Sequence, residues 1–72
     1  MTRKDYIATA DTIAQFVRDL DRDALTTTTD RGLAILSGER VAAQTLAHRL
    51  ADMFATDNAR FDRARFLKAC GL

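Results

Sequence analysis

A chain of 72 residues has room for one domain, and at that size only about 60% of the unfolded surface is buried on folding, so the core is small. Its single cysteine, Cys70, excludes an internal disulfide and a cysteine-rich zinc site, and no apolar run is long enough to cross a bilayer. The net charge of +1 favours no class of partner, and self-association is the remaining route by which so small a core gains stability.

The first helix is predicted over about 3–24. Thr2 is a good N-cap with Asp5 three residues on. Tyr6, Ile7, Ala10, Ile13, Ala14, Val17 and Leu20 then recur at helical spacing. Phe16 sits beside that stripe, as a flank of the core or as an anchor for a partner. A connector is expected over 25–37, because Thr26 to Thr29 are β-branched and poor helix formers. Within it, Thr29 or Asp30 could cap a short helical turn through Leu33 and Leu36. Alternatively, Asp30-Arg31-Gly32 could join two brief strands. The turn is favoured, since an isolated hairpin is barely stable.

Ser37 and Glu39 signal a second helix over about 38–56, with Val41, Ala42, Leu46, Ala47, Leu50, Met53 and Phe54 as its apolar positions. Asp57-Asn58 closes it. A short third helix is expected over about 62–70. Asp62 is its N-cap, Phe61 and Phe66 form a hydrophobic staple, and Gly71 stands where a left-handed C-cap glycine belongs. The larger core candidates are therefore Tyr6, Ile7, Ile13, Val17, Leu20, Val41, Leu46, Leu50, Met53, Phe54, Phe61, Phe66 and Leu67. The expected architecture is all-α: two long helices and a short C-terminal one, completed by oligomerisation.

Charge is unevenly distributed. Asp11, Asp19, Asp21, Asp23 and Asp30 face only Arg18 and Arg22, whereas Arg60, Arg63, Arg65 and Lys68 face only Asp62. Those four cations are candidates for contacting a partner or a phosphate. Phe16, Phe61 and Phe66 are candidates for an apolar interface.

The inventory for catalysis or metal binding is thin. His48 is the only histidine, and Cys70 belongs to the apolar face of a short helix. Asp19, Asp21 and Asp23 point in different directions on a helix and lack the glycine and glutamate of a calcium loop. Gly32 and Gly38 begin no phosphate-binding fingerprint. The reading is therefore no enzyme, no metal and no cofactor. A helix-turn-helix centred on Gly38 would present Arg40, Gln44, His48 and Arg49. However, it places Ser37, Glu39 and Gln44 where apolar residues belong.

Two segments carry a resemblance. Arg3-Lys4-Asp5-Tyr6 and Asn58 through Gly71 resemble the ends of small proteins encoded by bacteriophages and prophages, especially those of actinobacteria. The latter proteins close on a stretch like Asn-Pro-Arg-Phe-Asp-Arg-x-Arg-Phe-Leu-x-Ala-Cys-Gly. Ala59 stands here where proline is common. The resemblance implies phage origin and a place in the cytoplasm of a bacterial host, and it implies no activity. The resulting expectation is an accessory protein that binds protein, either itself or a host factor. Nucleic-acid binding through the basic C-terminal helix is the alternative, and no membrane association is expected.

Overall fold

The computed structural model describes residues 1–72. Helix α1 spans Arg3–Thr26. The Asp5 carboxylate closes its N-terminus by accepting the Thr2 backbone N–H at 2.8 Å and the Thr2 hydroxyl at 3.2 Å. The backbone bond, then the hydroxyl, hold that carboxyl below its usual value. The helix continues to Thr26, where the hydroxyls of Thr26 and Thr27 bond back to the Asp23 carbonyl at 3.2 and 2.7 Å.

Helix α2 spans Asp30–Asp57, which corrects the connector expected over 25–37: only residues 27–29 separate the two long helices. Thr29 is the N-cap, and its hydroxyl accepts the Gly32 N–H at 3.0 Å. The chain folds back so tightly that a Cβ on Gly32 would lie 2.6 Å from Thr27 Cγ2 and 2.9 Å from Thr29 Oγ1. Gly32 is therefore required by close approach inside a helix, not by a hairpin turn. Ser37 and Gly38 interrupt nothing. Their poor propensity costs about 1–1.5 kcal/mol together, and the helix is held by packing of its neighbours Leu36 and Arg40 against α1. Because nothing lies within 4 Å of a Cβ built on Gly38, Gly38→Ala should stabilise the protein by about 0.5–1 kcal/mol in denaturant unfolding.

Helix α3 spans Arg63–Ala69, between Asp62 as N-cap and Cys70 as C-cap. The Asp62 carboxylate accepts the Arg65 N–H at 3.0 Å, and the staple rings of Phe61 and Phe66 lie 5.5 Å apart. Gly71, at φ +81°, ends the helix in the left-handed conformation. Before α3 the Asn58 side chain makes the break, accepting the Arg60 N–H at 3.0 Å.

The two long helices pair through small residues. The buried positions are Ala10, Ala14, Val17 and Leu20 on α1, and Ala43, Ala47, Ala51 and Phe54 on α2. Short side chains let helix axes approach, so alanines make the seam. This corrects the expected core, since Ile7, Val41, Leu46 and Met53 lie at the surface. At one end α3 folds across the pair, adding Phe66 and Cys70 to a core with Ala10, Ala47, Ala51 and Phe54. The rings of Tyr6, Phe54, Phe61 and Phe66 pack there at centroid distances of 4.9–5.5 Å, mostly edge to face. The other end is two helices thick. Only 10 of the 72 residues are buried in a molecule 44 Å long and 17 Å across, which leaves many large apolar side chains outside.

Candidate functional site

Successive side chains of an α-helix are rotated by about 100°. With Ala47 facing the seam, His48 and Asp52 therefore fall on one flank of α2, and Leu46 and Met53 on the other. Helix α3 occupies the first flank. Arg63 ion-pairs with Asp52 and donates to His48 Nδ1 at 3.1 Å, so that ring nitrogen acts as the acceptor. The second flank is uncovered. Ile35, Leu46 and Met53 are 54, 56 and 50% exposed along it, with exposed Ala42 between them.

Helix α1 extends this open face. Ile7 lines a groove beneath α3, and Phe16, nine residues on, is rotated from it by about 180°. Phe16 thus lies on the side away from α3, 45% exposed. The two long helices run antiparallel, with Tyr6 against Phe54 and Asp21 paired with Arg40. That register sets Phe16 level with Gln44, midway along the exposed row on α2.

The other two phenylalanines expected at an interface are placed differently. Phe66 is buried and Phe61 half-buried, both in the ring cluster, because the staple turns them inward. Of the three, Phe16 alone is exposed.

The four C-terminal cations also separate. Arg63 is engaged within the chain by Asp52 and His48. Arg60 and Arg65 reach the groove between α1 and α3, where Arg3 joins them over a floor of Ile7, Phe61 and Phe66. None of these three guanidinium groups makes an ion pair or a hydrogen bond within the chain. Lys68 is exposed and lies outside the groove. Arg3 was missed in the sequence because only the folding of α3 against the start of α1 brings it to Arg60 and Arg65.

Cys70 is fully buried, and burial pushes its thiol above the ordinary value. In the folded protein it should resist an aromatic disulfide reagent and react fully once denaturant is added. Rapid labelling without denaturant would contradict its place in the core. No three His, Cys, Asp or Glu side chains come together as a metal site. No helix is long and apolar enough to cross a membrane.

No protein-family model matches this chain, and no curated protein or solved structure is significantly similar to it.

Proposed function

We propose that the protein is a small non-catalytic binding module that acts by associating with another protein through the face opposite α3. The observation that carries this is the row of exposed apolar side chains Ile35, Ala42, Leu46 and Met53 along one flank of α2, with Phe16 exposed on the same side of α1, on a chain that buries few large side chains of its own. Single exposed apolar residues are ordinary, but several large ones gathered on one side of a small molecule are characteristic of interaction sites. The likeness of Arg3–Tyr6 and Asn58–Gly71 to small phage proteins supports an accessory role in a bacterial host. The test compares the wild type with Leu46→Gln/Met53→Gln in light scattering and in affinity capture of host proteins, with circular dichroism as the check on folding. Association by the wild type that the double variant loses supports the reading. Association indifferent to the two substitutions, or none at all, refutes it.

A second reading rests on the gathering of Arg3, Arg60 and Arg65 at one groove, with Lys68 nearby in sequence. Unpaired guanidinium groups suit phosphate oxygens, and a nucleic-acid backbone would bind them without sequence readout. A gel shift at two salt concentrations tests this. Loss of a low-salt shift on Arg60→Ala/Arg65→Ala supports it, and no shift even at low salt ends it.

A further inference from the structure

We infer that the occupant of the open face is a second copy of this chain, with α2 packed antiparallel on α2 about a two-fold axis level with Gln44. The inference rests on the binding-face reading above and adds the partner, the orientation and the register.

The exposed row on α2 consists of Ile35, Glu39, Ala42, Leu46, Arg49 and Met53, all on the surface. Their separations alternate four and three residues, which is the seam of a coiled coil. The row is also self-complementary about position 44. When it is laid against a reversed copy of itself, Ile35 meets Met53, Glu39 meets Arg49 and Ala42 meets Leu46, each twice by symmetry. Two apolar layers then flank an oppositely charged one on either side of the axis, and a small residue faces a large one near the centre.

Charge selects this arrangement over its competitors. A parallel, in-register pair would set Glu39 against Glu39 and Arg49 against Arg49. Sliding the antiparallel pair by one heptad in either direction removes the Glu39–Arg49 match and places Glu39 against Ala42 or Arg49 against Leu46. Within the chain, Arg22, Arg40 and Arg63 are each paired with an aspartate, whereas Glu39 and Arg49 have no partner. The row runs for about 27 Å along one straight helix. Phe16 stands level with its midpoint, so the same two-fold axis sets the two Phe16 rings at one level beside the middle of the row.

Sedimentation equilibrium on four samples decides the matter: wild type, Glu39→Arg, Arg49→Glu, and an equimolar mixture of the two variants. The wild type should be a dimer. Each single variant sets like charges together twice and should dimerise roughly tenfold or more weakly. Mixing the variants restores both opposite-charge contacts and should recover a heterodimer of about wild-type affinity, as should the double variant Glu39→Arg/Arg49→Glu with itself. Both positions are exposed, and circular dichroism should show unchanged helix content. A wild type that stays monomeric up to about 1 mM, or that forms a larger assembly, overturns the inference. So does a dimer indifferent to either single variant, or a mixture no tighter than its parts. A monomer that still captures a host protein, and loses it on Leu46→Gln/Met53→Gln, would overturn the second copy while leaving the binding face in place.

Discussion

Phe54→Ala should cost the protein most of its stability. Phe54 is almost completely buried where all three helices meet, with its ring 4.9 Å from Tyr6 and 5.5 Å from both Phe61 and Phe66. Truncating a phenylalanine in such a site removes about 3–5 kcal/mol, from lost burial and from the cavity left behind. A domain of this size holds only about 4–10 kcal/mol in total. In a thermal melt followed by circular dichroism, at matched protein concentration, the midpoint should fall by about 15 °C or more. Loss of the cooperative transition altogether would have the same meaning. A fall below about 5 °C would show that the four rings do not pack as one cluster. The open face should be affected only indirectly, because Phe54 lies on the seam and Leu46 and Met53 lie on the outer flank.

What could be read along the chain was whatever is encoded locally. Helix α3 carries its own start and stop, through Asp62, the Phe61–Phe66 staple and Gly71, and it forms within a residue of where those signals put it. The opening of α1 at Thr2 and Asp5 is equally local. The start of α2 was legible as a cap at Thr29, but the turn it opens was read as separate from the helix that follows, because Ser37-Gly38 is weak in helix propensity and packing against α1 makes the helix continuous. The candidate site divides in the same way. Phe16 stood out because it falls off the stripe of α1, and the structure leaves it exposed. The engagement of Arg63 by Asp52 and His48, and the arrival of Arg3 beside Arg60 and Arg65, depend on how α3 folds back, which no local pattern records.

The largest misreading concerned which side of α2 faces inward, and a pair of neighbouring substitutions tests it directly. Ala47 is completely buried beside Ala10, Ala51, Phe66 and Cys70. Ala47→Leu should destabilise the fold by about 1–3 kcal/mol or more, because the added carbons have no space unless α1 or α3 moves away. Leu46→Ala, one residue earlier, should leave the stability of the dissociated chain within about 0.5 kcal/mol, since Leu46 projects from the outer flank. Hydrophobicity alone predicts the reverse order, with leucine preferred at both positions. Denaturant unfolding of the two variants at low protein concentration separates the alternatives, and a stabilising Ala47→Leu would mean that the helices do not meet on alanine. The expected order also explains how so small a protein leaves large apolar side chains exposed. A seam of alanines joins the long helices with little bulk, and Ile35, Leu46 and Met53 remain outside, where the proposed association would use them. Leu46→Ala should accordingly weaken association while sparing the fold, and Ala47→Leu should damage association only by damaging the fold.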